Sequence, residues 1–302
     1  MELSGATSFI TGAAQGIGLG IARALARQGA KLALTDIDDT PLSEAAAELA
    51  ELTEVAAFHL DVRDRAAYAR VAEEAEERLG PVTVLCNNAG LAFPEQPQDM
   101  SYELWDLALD INLGGVVNGV QSFLPRMLRH GRPAHIVNTA SAAGLIGAGV
   151  GPMYTSSKFA VVGLSESLRH QLEAAGHPIR VTVLCPGAVA TNIARSSQSL
   201  VAAQEGGPEL RRAQAGIEQL TPRIDAAVAH FGIPADTFGE LVVEAVKADR
   251  LYVLSDRAGI DLITARTQAI LSAMPEHHPV EVEGEGEGEA DLEELRRAVR
   301  KS

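Results

Sequence analysis

The sequence predicts an α/β fold, a doubly wound parallel sheet in a single domain. Short β-branched or apolar runs recur along the chain, longer helical patterns separate them, and the alternation continues almost unbroken from residue 6 to 254. Strands that alternate with helices need crossover connections, which are right-handed and leave a parallel sheet covered on both faces. Strands are expected at 6–11, 31–36, 55–60, 82–86, 135–139, 180–184 and 251–254, with helices at 18–28, 41–52, 65–79, 102–129, 154–175 and 237–248.

Two stretches break the rhythm. Residues 192–235, rich in Ala, Gln, Ser and Gly, are far longer than a normal strand-to-helix loop and are expected to form a helical lid. Residues 276–302 carry an acidic, Gly-rich run that cannot bury a core, and are expected to be a disordered acidic C-terminal tail after a folded domain at 1–275. The 302 residues include 40 acidic and 25 basic side chains, a formal net charge of −15, which argues against a nucleic-acid partner. The tail holds nine acidic and four basic residues, so −5 of that charge lies there.

No apolar run reaches the length of a membrane span, and the start at Met1-Glu2-Leu3 lacks a basic region followed by an apolar one; a cytoplasmic protein without a membrane partner is expected. Cys86 and Cys185 each end an apolar strand-like run and read as buried thiols. The eight histidines show no ligand spacing, so no metal is expected.

Directly after the first strand comes Thr11-Gly12-Ala13-Ala14-Gln15-Gly16-Ile17-Gly18, opening a helix. Glycines there permit a tight turn and close backbone approach, and a helix N-terminus offers free N–H groups to a pyrophosphate. A strand-to-helix turn needs glycine for steric reasons alone, but the position at the first strand–helix junction favours a Rossmann-type dinucleotide site holding Gly12, Gln15, Gly16, Ile17 and Gly18. Asp36 ends the second strand, where a carboxylate accepts from the adenosine ribose hydroxyls and repels a 2′-phosphate, favouring NAD over NADP. Asp38 or Asp39 is the more natural cap for the helix that follows, and no Arg or Lys follows Asp36 closely enough to clamp a phosphate.

Tyr154 and Lys158 stand four residues apart, on one helix face, and Ser141 lies just past the fifth strand, where carboxyl strand ends line the crevice. With these residues on view, the sequence resembles the short-chain dehydrogenase/reductase family of NAD type from residue 3 to about 254. The matching motifs are the glycine loop, Asp61-Val62, Asn87-Asn88-Ala89-Gly90, Asn112 in Ile111-Asn112-Leu113, Ser141, Tyr154 with Lys158, and Pro186-Gly187-Ala188-Val189-Ala190-Thr191.

The resemblance implies adenine contacts from Asp61 and Val62, and an adenosine wall from Asn88, Ala89 and Gly90. It implies a nicotinamide-holding segment containing Pro186, Gly187, Val189 and Thr191, and a catalytic set of Asn112, Ser141, Tyr154 and Lys158. Tyr154 then acts as general acid or base, with Lys158 and the positive nicotinamide expected to lower its pKa from the ordinary value near 10. Ser141 stabilises the substrate oxygen, Lys158 reaches the nicotinamide ribose, and Asn112, interrupting a helix, holds a relay water.

Substrate walls are expected from the segment 91–94 with Phe93, from Leu145 and Ile146, from Val150, Pro152 and Met153, and from the lid beginning at Asn192 and Ile193. They are largely apolar, without an Arg or Lys at the site, which favours a hydrophobic, aromatic or cyclic secondary alcohol or ketone. The long lid and the ending at 251–253 resemble bacterial family members acting on bulky aromatic alcohols. The alternatives are an NADPH-dependent biosynthetic ketoreductase, against which Asp36 speaks, and a non-catalytic dinucleotide-binding regulator, against which the complete set Ser141, Tyr154 and Lys158 speaks. The family resemblance implies a homodimer or homotetramer paired through helices 102–129 and 154–175.

Overall fold

The computed structural model describes residues 1–147 and 151–275; the expected tail at 276–302 and the candidate wall residue Val150 lie outside the described residues. The chain divides into two compact units, Met1–Gly259 and a second beginning at Ile260.

The first unit opens with β1 (Thr7–Thr11), α1 (Gly16–Arg27), β2 (Lys31–Asp36), α2 (Asp39–Leu49), β3 (Val55–His59) and α3 (Arg65–Leu79). It continues with β4 (Val82–Asn87), α4 (Tyr102–Leu109), a π-helical turn at Asp110–Gly114, α5 (Gly115–His130), β5 (Ala134–Thr139), α6 (Pro152–Ala174) and β6 (Ile179–Cys185). It closes with β7 (Val189–Ala190), α7 (Ile193–Ala202), α8 (Pro208–Phe231), β8 (Ile233–Pro234), α9 (Ala235–Lys247) and β9 (Tyr252–Leu254). In the second unit, α10 (Ile260–Ser272) is described.

Seven strands form one sheet in the order β3-β2-β1-β4-β5-β6-β9, and every pairing is parallel. This is the Rossmann-type doubly wound sheet that the alternation predicts. Successive residues of a strand point to opposite faces, so Phe9 and Ile10 of β1 enter different cores. Phe9 packs with Phe123 of α5 at 4.6 Å between ring centroids and with Tyr68 of α3 at 5.8 Å. Ile10 joins Leu32 and Leu34 of β2 under Leu25 of α1 and Val242 of α9. Both faces are thus dry, which is why the strands read as continuous apolar runs.

Three boundaries differ from the sequence expectation. The helix expected at 102–129 is broken at Asp110–Gly114, where the side chain of Asn112 leaves the helix to bond the backbone of Leu91. Helix α1 starts at Gly16 and α6 at Pro152, the latter because proline suits a first helical position, where no N–H bond is lost. Residues 192–235 form α7 and α8, and the stretch ends in β8, whose Ile233 pairs with Val189 of β7.

Helices α1 and α9 meet backbone to backbone. A Cβ on Gly20 would lie 2.3 Å from the Ala235 carbonyl oxygen, and one on Gly239 would lie 2.2 Å from that of Gly20. Because neither neighbour is a flexible side chain tip, Gly20→Ala is expected to destabilise the fold by about 1–3 kcal/mol. A urea midpoint equal to that of the wild type would contradict this account of the α1–α9 contact.

Candidate active site

The sheet order reverses between β1 and β4, and at the carboxyl ends of these strands lies a cleft of about 680 Å³. Gly12 has φ +62°, and a Cβ there would come within 2.9 Å of the Ala89 Cα, so the glycine loop presses against the segment after β4. A Cβ on Gly18 would meet the Gly12 carbonyl oxygen at 2.0 Å; its absence lets α1 begin directly behind the loop. Asn88 fastens the contact. Its Nδ2 donates to the carbonyls of Thr11 (3.0 Å) and Gly12 (3.2 Å), while the Asn88 and Ala89 amides donate to Thr11 Oγ1 at 2.9 and 3.0 Å.

No side chain caps the start of α1. Gln15, at the capping position, instead donates from Nε2 to Ser196 Oγ of α7 (3.0 Å) and accepts from Asn192 Nδ2 (3.3 Å), tying the loop to the start of α7. The uncapped helix start lines the cleft, and a helix start with free N–H groups suits an anion.

Asp36 lies at one end of the cleft beside Asp61, Val62 and Arg63. Its Oδ2 accepts from the Ala14 amide (3.0 Å), and its Oδ1 accepts from the amides of Ile37 (2.8 Å) and Asp38 (3.2 Å). Burial raises its pKa, and these three amides oppose the shift. The turn role assigned in the sequence to Asp38 or Asp39 therefore falls partly to Asp36 itself. The Asp38 side chain makes no cap bond, and Asp39 Oδ1 meets His59 Nδ1 at 2.8 Å. For Asp61 burial favours the neutral acid, but hydrogen bonds from Arg63 outweigh it and hold the carboxylate below its ordinary range.

At the other end stand Ser141, Tyr154 and Lys158. Ser141 precedes a single 3-10 turn at Ala142–Gly144, and its Oγ accepts from the Ala143 amide (3.1 Å). The Lys158 ammonium is 3% exposed, donates to the Thr139 carbonyl at 3.0 Å and lies 5.7 Å from the centre of the Tyr154 ring. Burial brings the Lys158 pKa down to about 8. Burial also raises that of Tyr154, against a smaller opposite effect of its hydrogen bond with Ser141. The sequence expectation of a lowered phenol pKa included the positive nicotinamide; in the chain alone desolvation of the phenolate prevails and the pKa is raised.

Asn112 is fully buried behind Gly90. Its Oδ1 accepts from the Leu91 amide (2.9 Å), and its Nδ2 donates to the Leu91 carbonyl (3.1 Å) and Ser157 Oγ (3.0 Å). Its side-chain amide is thus spent bracing the π-helical turn against the segment after β4. The cleft wall also contains Gly12, Gln15, Gly16, Ile17, Asn88, Ala89, Gly90, Pro186, Gly187, Val189 and Thr191.

Of the wall residues expected from the sequence, Ala92, Asn192 and Ile193 line the cleft. Phe93 (1% exposed) and Met153 (fully buried) belong to the core between sheet and helices instead, and Leu145 packs with Val161 and Val162 of α6. The apolar character of Phe93 and Met153 reports core packing and not a ligand wall, while Leu145 is half-buried. The wall also contains Arg63, which sequence reasoning missed, and Arg195, Ser196, Leu200 and Val228 from the stretch 192–235. Arg63 stands at the Asp36 end, away from Ser141 and Tyr154, whereas Arg195 of α7 is a basic wall residue that the sequence expectation did not include; both are ion-paired, Arg63 with Asp61 (2.7 Å) and Arg195 with Asp225. Among the described residues no cluster of three or more His, Cys, Asp or Glu could hold a metal ion, and no helix is long and apolar enough to cross a membrane.

The family model described as short chain dehydrogenase matches residues 6–201. The chain belongs to the short-chain dehydrogenase family. It is 36% identical over 265 residues to 1-deoxy-11-beta-hydroxypentalenate dehydrogenase of Streptomyces avermitilis, covering 85% of this chain and 86% of that enzyme. It is 34% identical over 249 residues to C alpha-dehydrogenase of a Sphingobium species, covering 82% and 79%. Among solved structures, a short chain dehydrogenase/reductase from Burkholderia phymatum in complex with NAD is 32% identical with a TM-score of 0.81, over 93% of this chain and all of that one. This short-chain dehydrogenase is accordingly an oxidoreductase.

A buried lysine with a depressed pKa disfavours folding while charged, so the penalty is present below about pH 8 and is relieved as pH rises toward the unfolded value of 10.5. Compared with Lys158→Met, the wild type is expected to gain up to about 3 kcal/mol between pH 8 and 10.5 in urea titrations. Parallel stability curves would contradict the burial assigned to this ammonium.

Proposed function

We propose that this short-chain dehydrogenase interconverts a hydrophobic secondary alcohol and its ketone with NAD, using Tyr154 as general acid and base. The observation that carries the reading is the gathering of Tyr154, Ser141 and Lys158 at one end of a cleft whose other end holds Asp36. The cleft suits an extended dinucleotide: a loop with no side chain at Gly12, Gly16 or Gly18, an uncapped helix start at its middle, and a carboxylate at the adenosine end. Gly12, Gln15, Gly16, Ile17, Asp36, Asp61, Val62, Asn88, Ala89, Gly90, Pro186, Gly187, Val189 and Thr191 would hold it, with Tyr154 and Lys158 reaching its nicotinamide half. When bound, it supplies the hydride acceptor for oxidation and the hydride donor for reduction.

The chain's own residues handle the proton and the substrate oxygen. Ser141 donates a hydrogen bond to that oxygen as charge develops on it. In reduction Tyr154 gives the oxygen its proton; in oxidation it takes the hydroxyl proton. Burial keeps the phenol protonated near neutral pH, which favours the acid role, and the Lys158 ammonium beside the ring helps the phenolate when the base role is needed. Asn112 fixes the π-helical turn and so the position of Leu91 beside the site.

Asp36 supports NAD, since its carboxylate would face a 2′-phosphate of NADP. The cation nearest that end, Arg63, is held by Asp61. The apolar wall residues Ile193, Leu200 and Val228 support a hydrophobic substrate, and the hydroxyl-bearing substrate named for the Streptomyces relative supports an alcohol. Helices α5 and α6 are the surfaces through which a dimer or tetramer would form.

Tyr154→Phe is expected to lower kcat at least about 100-fold with a panel of aryl and alicyclic secondary alcohols while leaving the NAD dissociation constant unchanged. A variant that keeps most of its kcat would overturn the role of Tyr154. In a separate comparison, kcat/KM is expected to be higher with NAD than with NADP. The reverse order would overturn the reading of Asp36 and favour an NADPH-dependent ketoreductase that uses Arg63.

A further inference from the structure

Glu95 lies in the segment after β4, remote in sequence from α6, and is 8% exposed. Its Oε1 accepts from the Met153 amide at 2.8 Å, and the Tyr154 amide acts on the same carboxylate. Helix α6 has no capping side chain of its own, because its capping residue is Gly151. Gly151 has φ +154°, and a Cβ there would stand 2.2 Å from Glu95 Oε2, so glycine makes room for the carboxylate. The first amides of any helix lack partners within it, and an uncapped first turn frays. Tyr154 sits in that first turn. Lys158, one turn later, is held independently by the Thr139 carbonyl.

We propose that Glu95 is a positioning residue for the reaction: by accepting the first amides of α6 it fixes the Tyr154 phenol against Ser141, which follows β5, and against the Lys158 ammonium, which Thr139 of β5 anchors. The proposal rests on the reading of Tyr154 as the proton-transfer group. Loss of Glu95 would then displace the phenol without disturbing the glycine loop or Asp36, so kcat falls while dinucleotide binding persists. A misplacement of about 1 Å at a reacting group costs on the order of 100-fold in rate.

The carboxyl also titrates in a useful range. Burial pushes its pKa up to about 7, and the amides of Met153 and Tyr154 pull against that shift. Its Oε2 has no hydrogen-bond partner among the described residues. The titratable group that shares its pocket is Asp99 of the 3-10 turn at Pro97–Asp99; on the α6 side it meets backbone amides, and on the α8 side the pocket is walled by Ala213, Gly216, Ile217 and Leu220, none of them charged. Gain or loss of its proton changes the strength of the clamp, because charged acceptors bind amides more strongly than neutral ones.

The test compares the full wild-type chain with Glu95→Ala and Glu95→Gln, measuring kcat, KM and the NAD dissociation constant, with kcat followed from pH 6 to 8. The expected result for Glu95→Ala is a fall in kcat of about 10- to 100-fold with NAD affinity within about twofold of wild type. Glu95→Gln, which keeps an acceptor but no charge, recovers most of kcat and loses its dependence on pH around 7. A folded Glu95→Ala with wild-type kcat overturns the proposal, and so does an equal loss of kcat and NAD affinity in both variants, which marks a merely structural role. If Glu95→Ala does not fold, Glu95→Gln decides, and a kcat profile identical to wild type overturns it. Absence of turnover by the wild type on the whole panel would overturn the reading of Tyr154 itself and this proposal with it, whereas failure of Glu95 alone leaves wild-type turnover and the Tyr154→Phe loss intact.

Discussion

The ends of β1, β4 and β5 are held together by one half-buried side-chain amide, and the site depends on it. Asn88 donates to the carbonyls of Thr11 and Gly12 and accepts from Thr139 Oγ1 at 3.2 Å. Thr139 in turn receives the Lys158 ammonium on its carbonyl oxygen. A single chain of hydrogen bonds thus runs from the glycine loop, where an anion would rest, to the cation beside Tyr154. Parallel strands leave their carboxyl ends splayed at a switch point, and without such a clasp the two halves of the cleft would be set by loops alone.

Burial then decides the electrostatics. Taking a charge out of water disfavours the charged form, so the same packing lowers a base and raises an acid. His135, fully inside the sheet with Nε2 at 2.7 Å from Thr182 Oγ1, is pushed down to about 3 and stays neutral, while Cys86 and Cys185 are pushed up to about 12 and stay protonated. Those groups are inert core members. Lys158, Tyr154 and Glu95 feel the same pressure, but the first two open onto the cleft and the third onto the start of the helix that carries them.

The strand periodicity, the glycine loop and the i, i+4 pair Tyr154 and Lys158 were legible because each is a local pattern whose meaning depends on a few neighbours. The seven strands follow from continuous apolar runs, and the parallel order from the helices between them. Substrate residues were less legible: Phe93 and Met153 are as apolar as a ligand wall but are consumed by the core, and only the fold separates the two fates. Arg63 escaped because its partner Asp61 and its neighbour Asp36 come from different strand ends. Glu95 carried no signal at all, since the helix it caps begins at Pro152 and no local motif links the two.

The central claim is that a secondary alcohol loses its carbinol hydrogen as hydride in this cleft while Tyr154 manages the hydroxyl proton. An alcohol deuterated at the carbinol carbon, turned over with NAD, tests this by mass spectrometry of the products. The account predicts one deuterium retained in the reduced dinucleotide and none released to water. Deuterium appearing in water, or no label in the dinucleotide despite ketone formation, would contradict it.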